Sequence, residues 1–349
     1  MLWGGDMAQE ERKTSGGPRI VVAGAGSIGC FVGGLLARGV QDVTLLVRPY
    51  MLEEISKQGI LLTDFSGLDE ALPPDAVNLV TKPEALSEAD IILVTVKSGA
   101  TSVVAEQIAS FARKDAVVVS LQNGTQNAGL LRERLAGWDV RAGMVPFNVV
   151  AMGGGRFHRG TSGDILIEKG AGHIARKLSV RDLDVHEVKR MAPVQWGKLL
   201  INLNNALNAL SDLPLRKQIM DMRWRRLMAD QMKEALAVLE AASLETTNPV
   251  TASVPMRTVP KILRLPTWAF RWVAKAMLAI DPTARSSMWE DLSKGRKTEI
   301  DELQGVIVQL AHKHGIPAPI NERVIELVRN AEDAGEGSPA LTAAQVRNG

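Results

Sequence analysis

A glycine-rich hexapeptide, Gly24-Ala25-Gly26-Ser27-Ile28-Gly29, separates an apolar run, Arg19-Ile20-Val21-Val22-Ala23, from a stretch rich in Ala, Leu and Gly between Cys30 and Arg38. The order reads as strand, tight turn, helix. The first glycine permits the turn, the second lets a pyrophosphate approach the backbone, and the third lets helix pack on strand. The helix N-terminus offers N–H groups and the positive end of a dipole to phosphates. Gly24, Ala25, Gly26, Ser27, Ile28 and Gly29 are therefore expected to bind a dinucleotide. The competing explanation is a glycine-rich turn of purely structural use.

Gly39 stops this helix, and Asp42-Val43-Thr44-Leu45-Leu46-Val47 forms the second strand of a βαβ unit. A carboxylate at the tip of that strand would bond the ribose 2′-hydroxyl of NAD. None is present. Arg48 follows Val47 directly, and a cation there suits a 2′-phosphate, which favours NADPH. Read otherwise, Arg48 is a solvated loop charge.

The segments Gly59-Ile60-Leu61-Leu62-Thr63 and Val77-Asn78-Leu79-Val80 are expected to pair as a small hairpin. Two continuous apolar runs follow, Asp90 to Val96 and Ala116 to Leu121, as in parallel strands buried on both faces. They end at Lys97-Ser98 and at Gln122-Asn123-Gly124. In open α/β sheets the carboxyl edge faces the ligand crevice. Lys97 and Asn123 thus become candidates for contacting cofactor or substrate, with a solvated lysine and a plain turn as alternatives. A further strand is expected over 141–150 and a hairpin over 151–169, where Gly153-Gly154-Gly155 and 160–163 supply turns. His158 between them is read as structural or exposed.

Composition narrows the setting. With 349 residues the chain has room for two domains and a large core. A net charge of +2 gives no support for a nucleic-acid partner. Five His and the single Cys30 argue against a zinc site, and one cysteine forms no intramolecular disulfide. Cys30 reads as a small packing residue. No apolar run is long enough to span a bilayer, and residues 1–17 lack the apolar core of a signal peptide. They are expected to form a disordered leader, and a cytoplasmic setting is the default.

Beyond about Arg190 strand-like runs give way to helical patterns, which marks a second, all-helical domain. Lys198, Asn202 and Asn205 share one helical face. Asn competes for backbone hydrogen bonds in mid-helix, so four of them among apolar residues need a reason. A polar stripe lining a cleft is favoured over a hydrogen-bonded network in the core, because Lys is rarely buried without a partner. The segment 261–280 holds Trp268, Phe270 and Trp272 with four cations and no acid. It is read as packing over a cleft or against a second copy of the chain through the helical domain. A membrane surface is the less favoured alternative. Next, Met288, Leu292, Gly295, Glu299, Leu303, Val306 and Leu310 recur at helical steps from a cap at Ser286 or Ser287. Glu299 interrupts this apolar stripe, and a carboxylate on a buried face needs a partner or a ligand. A last helix spans about 321–332, and 333–349 is expected to be a frayed, flexible tail.

Taken in order, the glycine turn, Arg48, Lys97, Asn123, Trp196-Gly197-Lys198-Leu199 with Asn202, and Ser286-Ser287-Met288-Trp289-Glu290-Asp291 leading to Thr298-Glu299-Ile300-Asp301 resemble the ketopantoate reductase (2-dehydropantoate 2-reductase) family. The resemblance covers residues 18–332. It implies an α/β Rossmann-type NADP-binding domain over 18–188 and an all-α substrate domain over 189–332, the latter like the C-terminal domain of 6-phosphogluconate dehydrogenase. It implies a cleft between them and NADPH-dependent reduction of a 2-oxo acid, here ketopantoate to pantoate on the route to pantothenate and coenzyme A. By position, Gly24, Gly26 and Gly29 would cradle the pyrophosphate and Arg48 the 2′-phosphate. Lys97 and Asn123 would line the nicotinamide side, and Lys198 would be the catalytic acid. Asn202, with Asn205 near it, would hold the substrate and Ser287 its carboxylate. Glu299 would bind the substrate hydroxyl and complete the site beside the cofactor. Hydride addition builds negative charge on the carbonyl oxygen, which a positioned ammonium stabilises and protonates.

The sequence departs from the family pattern where a second Asn often stands two turns after the lysine. That position is Ala206, between Asn205 and Leu207. A relative acting on another 2-oxo acid is therefore a second reading. A non-catalytic NADP(H)-binding sensor is a third, and the retained Lys198 and Glu299 count against it.

Overall fold

The computed structural model describes residues 17–39, 41–249, 253–275, 278 and 280–348. Residues 1–16 of the expected leader lie outside the described residues. Contacts divide the chain into two compact units. One runs to Arg159 and resumes at Asp164–Met191; the other comprises Gly160–Gly163 and the chain from Ala192 onward.

The first unit holds strands β1 (Arg19–Ala23), β2 (Asp42–Leu46), β3 (Ile60–Asp64), β4 (Asp69–Leu72), β5 (Asn78–Val80) and β6 (Ile91–Val94). It continues with β7 (Val117–Ser120), β8 (Asp139–Met144), β9 (Val149–Ala151), β10 (Arg156–Arg159), β11 (Ile165–Glu168) and β12 (Val185–Val188). Eight form one sheet in the order β12-β11-β8-β7-β6-β1-β2-β5, and four form a second in the order β4-β3-β10-β9. In the larger sheet β1 pairs in parallel with β2 on one side and β6 on the other, so the winding reverses at β1. That reversal is where an open α/β sheet forms its ligand crevice. The unbroken apolar run of β6 follows from its central place: all four side chains are buried. Each such burial stabilises by about 1.5–3 kcal/mol.

Helix α1 (Ser27–Arg38) lies between the two sheets and is buried from Gly29 to Leu36. Adjacent glycines make room on both sides. A Cβ at Gly33 would meet Leu45 and Val22 of the larger sheet, and one at Gly34 would meet Leu62 and Ile60 of the smaller. Burial on both sides explains why this helix lacks a polar face. The other helices of the unit are α2 (Pro49–Gln58), α3 (Thr101–Phe111), α4 (Asn127–Arg134) and α5 (Ile174–Leu178).

Two strand expectations need correction. The segment at 59–63 does not pair with 77–80. It forms β3, joined in a hairpin to the polar β4, whereas 78–80 is an edge strand of the larger sheet beside β2. The β3–β4 turn is held by the Asp64 carboxylate, which accepts from the N–H groups of Ser66 and Leu68. β4, Asp-Glu-Ala-Leu, has no hydrophobic pattern to betray it. Likewise the single strand expected over 141–150 is two. β8 ends at Met144, and β9 belongs to the other sheet. Pro146 stands between them and has no N–H to extend a ladder.

The second unit is helical: α6 (Met191–Asn202), α7 (Asn204–Ser211), α8 (Leu215–Met220), α9 (Met222–Ala241), α10 (Val259–Leu263), α11 (Thr267–Val273), α12 (Ser287–Ser293), α13 (Val306–His314), α14 (Pro319–Ala334) and α15 (Ala343–Asn348). α6, α7, α9, α13 and α14 contribute to one apolar core. In the basic aromatic segment Leu265-Pro266 separates α10 from α11. Phe270 is buried beneath the guanidinium of Arg225, 4.4 Å from its ring centroid, while Trp268 and Trp272 are 78% and 85% exposed. The fully buried Arg225 is satisfied by the carbonyls of Ile219, Met220, Leu263 and Leu265. Among the described residues no helix is long and apolar enough to cross a membrane.

The helix expected to run unbroken from 286 to 310 is also two. α12 ends in a Schellman motif: Gly295, at φ 60°, donates to Leu292 O, and Arg296 N–H donates to Asp291 O. Gly295 terminates the helix and does not merely leave room on its face. The next helix opens at Ile300 with a π-helical turn, Asp301–Gly305. The tail expected to fray packs instead. The last carbonyls of α7 lack helical partners, and residues beyond α14 supply them: Ser338 Oγ donates to Ala209 O and Leu341 N–H to Leu210 O. α15 then buries Val346 and pairs Arg347 with Asp230 at 2.6 Å.

Candidate active site

The three glycines of the turn differ in their surroundings. Gly24 has φ 83°, and a Cβ on it would lie 2.0 Å from Val96 Cγ1. At Gly29 a Cβ would lie 2.6 Å from Thr95 Oγ1 and 2.9 Å from Val22 Cγ1, so the helix rests directly on β1 and the exit of β6. A Cβ at the exposed Gly26 would meet nothing within 4 Å. Ala25 N–H is committed to Leu46 O, Gly26 N–H to Gly24 O, and the helical ladder begins with Cys30 N–H to Gly26 O. The N–H groups of Ser27, Ile28 and Gly29 thus head the helix, which carries no side-chain cap. Cys30 is buried, donates to Ala25 O, and its thiol is pushed up to about 12 by burial, as for a packing residue. Past the tip of β2, Arg48 is exposed and forms no ion pair with a carboxylate among the described residues.

On the other side of β1, Lys97 and Asn123 are exposed just beyond the ends of β6 and β7. A buried polar cluster lies behind them. Gln122 Nε2 donates to Val96 O and to Thr101 Oγ1 at 3.1 and 2.8 Å. Asn127 Nδ2 donates to Asn123 O and Ser98 Oγ at 2.6 and 2.9 Å. Sequence reasoning passed over Asn127 and Thr101, which show no periodic signal.

In the second unit Lys198 lies on α6. Burial lowers its ammonium from the usual lysine value to about 8. The preceding residue has to be glycine, because a Cβ at Gly197 would sit 1.8 Å from the carbonyl oxygen of Thr247. Leu203 separates α6 from α7, and its carbonyl accepts from the buried Gln304 Nε2 at 2.8 Å. Gln304 belongs to the π turn that follows Glu299, so one hydrogen bond ties the lysine helix to the segment presenting Glu299. Ser286 caps α12, its Oγ accepting from Trp289 N–H and donating to Asn205 O. Asn208 Oδ1 accepts from Ser286 N–H at 2.8 Å. The start of α12, with Ser287, is thereby fixed to the helix bearing Asn205.

The asparagine stripe is only partly what its spacing implied. Asn202 and Asn205 remain candidates, but Asn204 and Asn208 both donate to Gln218 Oε1 in the core. Those two form the interhelix network that was the less favoured explanation. Glu299 does not lie on a continuous helical stripe. It is half-buried in the connection before Ile300. Nearby, Lys297 pairs with Glu332 at 3.0 Å and Arg296 with Asp291 at 3.1 Å. Gln304, a lone amide beside Leu303 and Val306, was the missed signal.

Residues 20–172 match the family model for Ketopantoate reductase PanE/ApbA, and residues 190–332 match the model for its C terminal domain. A 2-dehydropantoate 2-reductase of Halobacterium salinarum is 27% identical over 326 residues, which are 91% of this chain and 100% of that protein. One from Archaeoglobus fulgidus is 27% identical over 331 residues, 90% of this chain and 98% of the other. A crystal structure of a PanE/ApbA family ketopantoate reductase from Ralstonia eutropha superposes with TM-score 0.75 at 30% identity, covering 91% of this chain and 99% of that one. A D-mandelate dehydrogenase bound to NADH and anilino(oxo)acetate shares the fold, with TM-score 0.72 at 21% identity, over 91% and 99% of the two chains.

Gly197→Ala tests the packing under Lys198. The added methyl collides with a backbone oxygen, so the variant should lose about 1–3 kcal/mol in urea unfolding. An unchanged midpoint would show that the contact is not tight.

Proposed function

The chain belongs to the ketopantoate reductase family, and on that premise we propose that it reduces 2-dehydropantoate (ketopantoate) to pantoate with NADPH. The observation that carries this reading is Lys198, an ammonium whose acidity burial has raised, on a helix tied through Gln304 to the segment presenting Glu299.

The residues present fit the cofactor. Open space at Gly26 would admit a pyrophosphate to the backbone, and the uncapped start of α1 suits its charge. The absence of a carboxylate at the tip of β2, with Arg48 there instead, suits a 2′-phosphate. Bound NADPH supplies the hydride that adds to the carbonyl carbon of the 2-oxo acid. Lys198 stabilises the charge growing on the carbonyl oxygen and transfers a proton from Nζ to it, leaving a neutral amine and a 2-hydroxy acid. Glu299 orients that ammonium and accepts a hydrogen bond from the substrate hydroxyl. Ser287 holds the carboxylate, Asn202 and Asn205 hold the rest of the substrate, and Lys97 and Asn123 contact the nicotinamide end.

A different 2-oxo acid is the second reading. Ala206, standing where an asparagine is often found in the family, is fully buried, and Asn208 is consumed in the core. Those residues leave a smaller polar set for a substrate tail.

Three outcomes are expected. Lys198→Ala should lower turnover by about 10²–10⁴-fold while the NADPH dissociation constant stays within about twofold. In the unmodified enzyme, kcat/KM for reduction should fall as pH rises through about 8, because the acid must enter protonated. Near-normal turnover in the variant would remove Lys198 from proton transfer. Arg48→Ala should erode the preference for NADPH over NADH by about tenfold, the scale of one lost charge-assisted hydrogen bond. An unchanged ratio of the two kcat/KM values would assign 2′-phosphate recognition elsewhere.

A further inference from the structure

We propose that Gln122, Thr101 and Asn127 form a buried clamp that sets the spacing of the two loops bearing Lys97 and Asn123, and so positions the nicotinamide end of the dinucleotide. The inference rests on the NADPH reading above.

The three side chains are buried and come from three places: the exit of β7, the first residue of α3 and the first residue of α4. Both amide protons of Gln122 are used, on Val96 O and Thr101 Oγ1. Its Oε1 accepts from Ser120 Oγ at 3.0 Å. Both amide protons of Asn127 are used, on Asn123 O and Ser98 Oγ. The Thr101 hydroxyl accepts from Gln122 and has one proton to give, with Ser98 O at 2.8 Å and Asn127 Oδ1 at 2.9 Å as acceptors.

The targets of this network are selective. Val96 and Ser98 flank Lys97, and the remaining backbone target is Asn123 itself. A network serving only the core would have no reason to converge on the two residues that leave the sheet at its ligand-facing edge. Apolar residues could fill the same space without four committed amide protons.

Sheet order says which end of the ligand is affected. β2, with Arg48 beyond its tip, lies on one side of β1, and β6 and β7 lie on the other. A dinucleotide crossing the glycine turn with its 2′-phosphate at Arg48 therefore extends its other end toward β6 and β7. The clamp residues act through Lys97 and Asn123, so they are positioning residues.

The test uses the full chain and two ligands measured by calorimetry: NADPH, and adenosine 2′,5′-bisphosphate, which carries the 2′-phosphate but no nicotinamide. Thr101→Val keeps the side-chain shape and deletes the hydroxyl. It should weaken NADPH about tenfold, as expected when a buried hydrogen bond is broken. The bisphosphate should stay within about twofold, and Thr101→Ser should restore NADPH affinity. Asn127→Asp, which removes the donating nitrogen, should repeat the pattern and covers the case of a poorly folded Thr101→Val. Equal weakening of both ligands, or unchanged NADPH affinity in both variants, would overturn the clamp. An unmodified chain that binds neither ligand would instead overturn the NADPH reading.

Discussion

A backbone can press against a neighbouring element only where it carries no side chain of its own, and each unit contains such a contact at glycine. In the first, Gly29 lets α1 rest on Val22 and Thr95, and Gly24 takes a turn that Val96 would otherwise block. That contact brings the head of the helix to the edge of the sheet, where Gly26 is open. In the second, Gly197 lets the carbonyl of Thr247 lie against α6 one residue before Lys198. Desolvation at Lys198 itself lowers the lysine pKa. Close approach at glycine thus shapes the turn proposed to take a phosphate in one unit and the helix carrying Lys198 in the other.

The wiring of the candidate site is polar and mostly buried. Gln304 on Leu203 O, Asn208 on Ser286 N–H, and Asn127 on Asn123 O each join a segment bearing a candidate residue to a neighbouring element. A buried amide left without partners costs about 1–3 kcal/mol, so each bond strongly disfavours slippage of the segments it joins. The same logic explains why two of the asparagines in 202–208 face the core. They hold α7 against Gln218 and the start of α12, and Asn202 and Asn205 remain the candidates of the proposed function.

What could be read from residues alone follows the range of the forces involved. The turn at 24–29 and the strand at 91–94 declare themselves, because local sterics and complete burial dictate their composition. The change to helices after about 190 is legible for the same reason. The pairing of β3 with β4 was not, since β4 is polar and its hairpin depends on Asp64 capping a turn. Gly295 illustrates ambiguity of a different kind: it fits a helical stripe by spacing, yet its left-handed φ ends the helix. The order of residues 338–348 depends on the unfilled carbonyls of α7, more than a hundred residues away in the chain. Lys198 and Glu299 were singled out as candidates because a charge on an apolar pattern stands out. Gln304, Thr101 and Asn127 escaped because a neutral amide or hydroxyl does not.

The proposed function divides the chemistry accordingly, with dinucleotide recognition assigned to the α/β unit and proton donation and substrate binding to the helical one. Substrate choice is the most direct test, measured as NADPH oxidation by the full chain with ketopantoate and with a panel of 2-oxo acids of different bulk. Ketopantoate should be turned over with kcat/KM of about 10⁴ M⁻¹s⁻¹ or more and exceed every other acid in the panel. A chain that oxidises NADPH with another 2-oxo acid while leaving ketopantoate untouched, or with none of them, would contradict the assignment.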